Sequence, residues 1–246
     1  MARSTTSEAV VLRSFRLGEA DRILHVYTQD RGRVGAVAKG VRKTKSRFGA
    51  RLEPFSHVEL VLHQGRGELE TVTGASLVHS HDRIRTDPYR IQVGMIGLEA
   101  MLRLFPEQEA NEKAFTALTR FLDALDDVPA RPGMRAALDP VVLSFQLKLL
   151  WVSGYTPHLE TCVECGSADP LVAFLASAGG GACIACDPGG IPLSPEGVHG
   201  MRLLLHSPIA AATTAGLGER AERDAFAVVN ASYEHHGGFR LKTLTA

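Results

Sequence analysis

An α+β architecture, a small five-stranded barrel followed by a helical domain with a four-cysteine insertion, is predicted by three features of this 246-residue chain. Short apolar runs separated by glycine turns fill residues 8 to about 80, helical periodicity with cap-plus-proline starts follows, and two Cys-x-x-Cys pairs interrupt the helical part. The corresponding domains are residues 1–80 and 81–246, with the insertion at about 158–190.

Ala9-Val10-Val11-Leu12 reads as the first strand, Ile23-Leu24-His25-Val26-Tyr27 as the second and Val34-Gly35-Ala36-Val37-Ala38 as the third. After a basic stretch come His57-Val58-Glu59-Leu60-Val61-Leu62, a Gln64-Gly65-Arg66-Gly67 turn, and Leu69-Glu70-Thr71-Val72-Thr73. Five short strands in so few residues suit a small barrel better than a sandwich, and the five-stranded barrel that binds nucleic acid is the OB-fold. The basic stretch becomes the long connection between strands three and four.

Asp87-Pro88 pairs an N-cap with proline at the first helical position, and Ile91, Met95, Leu98, Met101, Leu102 and Phe105 recur at helical spacing until Pro106, which predicts a helix with that stripe in the core. A second helix is predicted from about Glu109 to Leu125 and a third from Asp139-Pro140 to a stop at Gly154. Helical signals resume at Ser194-Pro195-Glu196, and a last helix spans roughly Glu219 to Tyr233. The cysteine segment is therefore an insertion in one helical domain whose two halves pack together.

Cys162-Val163-Glu164-Cys165 and Cys183-Ile184-Ala185-Cys186 lie seventeen residues apart and use all four cysteines of the chain. Two intervening residues let both sulfurs of a pair face one ion, and Gly166 and Asp187-Pro188-Gly189-Gly190 supply the turns that bring the chain back. A redox dithiol normally occurs once, near a βαβ pattern absent here, and a disulfide framework belongs to short secreted chains. The doubled spacing predicts one structural zinc ion, and four thiolates leave no coordination position for a substrate.

A hydrophobic content of 45% is ordinary for a globular protein. The N-terminus lacks an apolar signal core and no apolar run is long enough to span a bilayer, so a cytoplasmic protein without membrane association is expected. The formal net charge of zero hides a polarity, because residues 1–52 carry twelve Lys/Arg against four Asp/Glu. Residues 31–51 contain Arg31, Arg33, Lys39, Arg42, Lys43, Lys45, Arg47 and Arg51 and no acid. A solvated face is usually salted with both signs, so this run reads as a site for a polyanion.

Catalytic signatures are missing. Gly35 to Gly40 approaches a phosphate-binding loop, but Val41-Arg42 stands where Lys and Ser/Thr are needed, and no G-x-S-x-G or H-E-x-x-H occurs. His79 with His81, and His235-His236, read as solvated or capping histidines at domain edges or a helix end. Glu19 and Asp21 flank a turn after Gly18 with no second carboxylate group to pair with. No enzyme activity is expected.

Several stretches resemble the RecO family of bacterial DNA repair and recombination mediators. They are Ala9-Val10-Val11-Leu12, Gly18-Glu19-Ala20-Asp21-Arg22-Ile23, Gly32, the run from Ala38-Lys39-Gly40-Val41-Arg42-Lys43 through Thr44-Lys45-Ser46-Arg47, Leu52-Glu53-Pro54-Phe55, Ser153-Gly154-Tyr155-Thr156-Pro157 ahead of Cys162, and the second cysteine pair behind Gly179-Gly180-Gly181. The resemblance implies an OB-fold on a helical domain, binding of single- and double-stranded DNA, strand annealing, and cooperation with RecR and the single-stranded DNA-binding protein in loading the RecA recombinase at gaps. It places a nucleoid-associated role in the cytoplasm and assigns DNA contacts to Lys39, Arg42, Lys43, Lys45, Arg47 and Arg51. It also implies a groove in the helical part for the C-terminal tail of the single-stranded DNA-binding protein, with Arg103 and Lys148 as candidate cations. The barrel's aromatics are only Phe15, Tyr27, Phe48 and Phe55, with Phe55 assigned to the core, so DNA binding should lean on phosphate contacts more than on stacking. Two other readings compete: a zinc-assisted nuclease or deaminase, opposed by the closed four-cysteine site, and an adaptor whose basic strip holds an acidic protein tail.

Overall fold

The computed structural model of the chain describes every residue except 1–3, 44, 45, 47, 66, 128, 130, 132, 188, 245 and 246. The expected DNA contacts Lys45 and Arg47, together with Thr44 of the same run and Pro188 of the turn after the second cysteine pair, lie outside the described residues.

Five strands, β1 (Ser4–Leu17), β2 (Asp21–Thr28), β3 (Gly32–Ala38), β4 (His57–His63) and β5 (Glu70–His79), form a closed barrel in the order β1-β2-β3-β5-β4. All neighbours are antiparallel except β3 and β5, which meet in parallel at Ala36–Glu70 and Val37–Thr71. This is the five-stranded, OB-like arrangement expected. The strands run longer than the apolar runs that predict them. Strand β1 extends from Ser4 because its first half pairs with β4 and its second half with β2, overlapping at Ala9 and Val10. Backbone pairing recruits polar residues that an apolar pattern does not mark.

The run Ala9-Val10-Val11-Leu12 is continuous because both faces of β1 are buried. Ala9 and Val11 join Leu24, Val26, Val34, Leu60 and Leu62 inside the barrel, whereas Val10 and Leu12 join Tyr27 and Phe55 in the helical core. Phe48 and Leu52, from the connection between β3 and β4, close the barrel interior.

Beyond the barrel lie α1 (Asp82–Thr86), α2 (Pro88–Leu104), α3 (Glu112–Asp127), α4 (Pro140–Val152), α5 (Pro195–His206) and α6 (Glu219–Ser232). The cap-plus-proline signals hold. Asp87, Asp139 and Ser194 accept hydrogen bonds from the N–H groups of Arg90, Val141 and Gly197, each ahead of a proline in the first turn. Helix α4 packs against α3, α5 and α6, so the helices before and after the cysteine segment share one core.

The stripe predicted for α2 is partly wrong. Ile91 and Met95 are 36% and 37% exposed, and the buried face carries Val93, Gly94, Ile96, Gly97, Leu98, Ala100 and Met101 instead. The reason is close approach: a β-carbon at Gly97 would lie 2.3 Å from Cε1 of Phe121 and one at Gly94 2.7 Å from Cε1 of Phe55. Small residues admit the rings, and periodicity of large residues misses that face. The five-residue α1 was too short to leave a periodic signal.

The cysteine segment holds a small sheet not anticipated from sequence, in which β6 (Leu171–Leu175) lies between β7 (Gly180–Cys183) and β8 (Ile191–Pro192). Glycine-rich β7 has almost no strand propensity. Among the described residues, no helix is long and apolar enough to cross a membrane.

Candidate functional site

The basic connection between β3 and β4 is pinned by the turn between β1 and β2. The Asp21 carboxylate accepts from the backbone N–H of Gly40 at 2.7 Å, and the N–H of Arg42 donates to the carbonyl of Ala20 at 2.9 Å. The Arg42 guanidinium donates to the carbonyl of Glu19 at 2.9 Å. Gly40 has φ +66°, a conformation costly for residues with a β-carbon, which lets the chain turn at the anchor. Asp21, without a partner in the sequence reading, is therefore the residue that orients the connection. Its signal was the co-occurrence of the Gly18–Ile23 and Ala38–Arg47 stretches.

Lys39, Arg42, Lys43 and Arg51 are all exposed along this connection. Arg31 and Arg33, in the same acid-free run, are held by the fold. Arg31 forms a 2.6 Å ion pair with the buried carboxylate of Glu70, and Arg33 donates to the carbonyl of Leu102 at 2.8 Å and faces Glu107 at 3.4 Å.

Of the four barrel aromatics, Tyr27, Phe48 and Phe55 are buried and only Phe15 is exposed, at 37%. The Arg13 guanidinium lies 4.4 Å from the centre of the Phe15 ring, and His25 meets that ring edge-on at 5.6 Å. Burial, followed by the charge of Arg33, pulls His25 below the ordinary histidine range, which favours an uncharged ring beside Phe15. Arg13 was missed because it is isolated in sequence from the basic run.

The four cysteine sulfurs all lie within 4.8 Å of one another, and the sulfurs of Cys165 and Cys183 are 3.8 Å apart. A tetrahedron of thiolates at ~2.3 Å from zinc has edges of about 3.8 Å, so the set fits a closed metal site. Backbone bonds build both knuckles. The N–H of Cys162 donates to the Ser167 carbonyl, that of Gly166 to the Cys162 carbonyl and that of Val163 to the Gly181 carbonyl, each at 2.8 Å. The N–H groups of Gly189 and Gly190 both donate to the Asp187 carboxylate at 2.8 Å, closing the turn after the second pair. The N–H of Cys183 points at the Cys162 sulfur at 3.4 Å, and this bond leads the effects that lower the Cys162 pKa to about 6. Hydrogen bonding with Cys165 leads those that push Cys186 up to about 12. Four sulfurs this close resist joint ionisation unless a cation sits among them.

A groove of about 950 Å³ runs between α3, α4 and the 3-10 segment Ile209–Thr214, lined by the apolar Ala117, Val152, Ile209 and Trp151, the cations Lys113, Arg120 and Lys148, and the acids Glu112, Asp123 and Asp127. The chain's one tryptophan, Trp151, is 52% exposed with the Lys113 ammonium 5.0 Å from its ring. Lys148 also donates to the carbonyls of Leu204 and Leu205 at 3.2 and 3.0 Å, closing the C-terminal end of α5, and burial lowers its pKa. Arg103 is elsewhere, 4.9 Å over the ring of Phe239.

His79 and His235 are exposed, as expected, whereas His236 and His81 depart from expectation. His236 stacks on Tyr155 at 4.5 Å. His81 occupies the N-cap position of α1 yet its side chain caps nothing and is completely buried, its two ring nitrogens facing the Phe55 carbonyl at 2.7 Å and the Asp123 carboxylate at 3.1 Å.

The sequence matches the family models "Recombination protein O N terminal" over residues 1–81 and "Recombination protein O C terminal" over residues 85–245. It is similar to the DNA repair protein RecO of Rubrobacter xylanophilus, with 41% identity over 224 residues that cover 88% of this chain and 87% of the relative. The DNA repair protein RecO of a Nocardioides species is 42% identical over 204 residues, covering 80% and 81%. The barrel, its pinned basic connection and the helical domain with its cysteine cluster are thus those of a chain that belongs to the RecO family of DNA repair proteins.

Proposed function

We propose that this protein is a non-enzymatic recombination mediator that binds single- and double-stranded DNA through the basic connection, anneals complementary strands, and acts with RecR in loading RecA at single-stranded gaps in the cytoplasmic nucleoid. The observation that carries the DNA-binding part is the division of labour within one basic run. Arg31 and Arg33 are half-buried and tied into the fold, while Lys39 and Lys43 are displayed on a connection held by Asp21, with Arg42 and Arg51 exposed beside them even as their guanidinium groups donate to the carbonyls of Glu19 and Phe48. Lys45 and Arg47 complete the same contact set by sequence. Phosphates suit such a strip because it offers cations at several points and few flat ring faces.

One zinc ion held by Cys162, Cys165, Cys183 and Cys186 would fix the insertion, and a full set of thiolates supports a structural role without chemistry. The groove beside Trp151 offers apolar side chains together with Lys113, Arg120 and Lys148, which suit the acidic tail of the single-stranded DNA-binding protein, although Glu112, Asp123 and Asp127 line it as well. Lys113 and Arg120 replace Arg103 as the cations best placed for it.

Salt dependence tests the DNA-binding part. About four or five phosphate contacts on a single strand imply a slope of roughly −3 to −3.5 in log K against log salt, at ~0.7 per contact. Lys39→Ala with Lys43→Ala should flatten it by about 1.4 and weaken all sequences alike, with annealing falling in parallel. An unchanged slope in a folded double variant would remove the connection from the interface.

A further inference from the structure

We propose that His79, His81 and Asp123 form a second metal site, for a transition-metal dication of the zinc class, at the junction between the barrel and the helices. The three ligand atoms lie within 4.8 Å of one another, with His79 Nδ1 and His81 Nε2 each 3.1 Å from the same carboxylate oxygen of Asp123. Nitrogen and oxygen ligands at ~2.0–2.2 Å from a tetrahedral ion stand about 3.3–3.5 Å apart, so small adjustments would seat one.

The proton count at His81 points the same way. A neutral imidazole has one N–H and one lone pair, yet oxygen acceptors face both nitrogens of this buried ring. If Nδ1–H donates to the Phe55 carbonyl, the shorter of the two bonds, the Nε2 lone pair confronts a carboxylate oxygen. A cation between them, a second proton on the ring or a proton on the Asp123 carboxyl removes that conflict. A ring that gives its N–H to a backbone carbonyl and turns the other nitrogen to a carboxylate is oriented as metal-binding histidines are.

Two imidazoles and a carboxylate favour zinc, nickel, cobalt or copper over calcium or magnesium. Three protein ligands leave a fourth position for water or an added carboxylate. His79 and Asp123 also line the groove beside Trp151, which gives that position access to solvent. The ion would tie the end of β5 to α3 across the two-residue connection before α1.

The test is calorimetric titration of the full-length chain with Zn2+ at neutral pH, beside His79→Ala and Asp123→Asn. The wild type should bind one equivalent more than either variant, a difference that isolates this site whatever the cysteines hold. Losing a ligand should weaken it more than 100-fold, beyond the ~10–100-fold contributed by outer-shell partners. Once the cysteine cluster is loaded, further Zn2+ should raise the melting temperature of the wild type and not of the variants. His79 is half-exposed, so its variant should melt like the wild type without metal. Equal stoichiometry in wild type and His79→Ala, or an extra equivalent that survives in both variants, would overturn the site and leave His81 as a proton-bearing ion-pair partner of Asp123.

Discussion

The ring of Phe55, at the rim of the barrel, lies against the bare Cα of Gly94 in α2, where a β-carbon would come within 2.7 Å of Cε1. One turn along, Gly97 does the same for Phe121, whose ring stacks on Phe145 at 4.4 Å. Gly97→Ala should therefore destabilise the protein. Overpacking costs about 1–3 kcal/mol, which exceeds the ~1 kcal/mol that alanine gains over glycine in a helix. Gly65→Ala, with open space around it, should be close to neutral. Denaturant midpoints for the two variants check the ordering.

Removing the metal from the cysteine cluster should unfold the insertion. Cys165→Ser takes one corner from a site where a bound zinc ion would contribute on the order of 10 kcal/mol to the local fold. Metal analysis should show the loss, and limited proteolysis should cut between residues 158 and 190 in the variant. A variant that lacks metal yet resists cleavage would make the backbone bonds of the knuckles sufficient.

Asp21→Ala separates positioning from charge. The substitution makes the barrel more positive, which by electrostatics alone strengthens DNA binding. It also frees Gly40 from its anchor. If Asp21 orients the connection, affinity should fall severalfold despite the extra positive charge, as read by fluorescence anisotropy with a labelled single strand. Tighter binding would reduce Asp21 to one more charge.

Trp151 provides an intrinsic probe of the groove. A peptide with the acidic tail of the single-stranded DNA-binding protein should change the emission of this sole tryptophan, and Lys113→Ala with Arg120→Ala should weaken the response about tenfold or more. The variant should keep its DNA affinity, since both residues belong to α3 and not to the basic connection.

Patterns confined to neighbouring residues were legible in the sequence. Asp87-Pro88, Asp139-Pro140 and Ser194-Pro195 marked helix starts because capping is decided within one turn, and the cysteine pairs declared a cluster because ligand spacing is local. Features that depend on distant partners were not. Arg31 and Arg33 look like Lys39 and Lys43 until Glu70 and Leu102 are placed beside them. Gly94 and Gly97 carry no apolar mass, so the buried face of α2 shows only against Phe55 and Phe121. His81 passed for a helix cap because its position is that of one, while its side chain belongs to Asp123, 42 residues away.

The two-sided burial of β1 has a mechanical consequence. A one-residue slip of this strand would exchange Val10 and Leu12 with Ala9 and Val11, swapping the side chains demanded by two different cores at once. Its register is thus locked from both sides, and only two residues separate the end of β5 from α1. Tension on a strand held at the basic connection would pass through β1 directly into the helices, so the barrel has no slack in which to swivel. The strand annealing proposed for this protein would thereby have a rigid bench on which to hold one of the two strands.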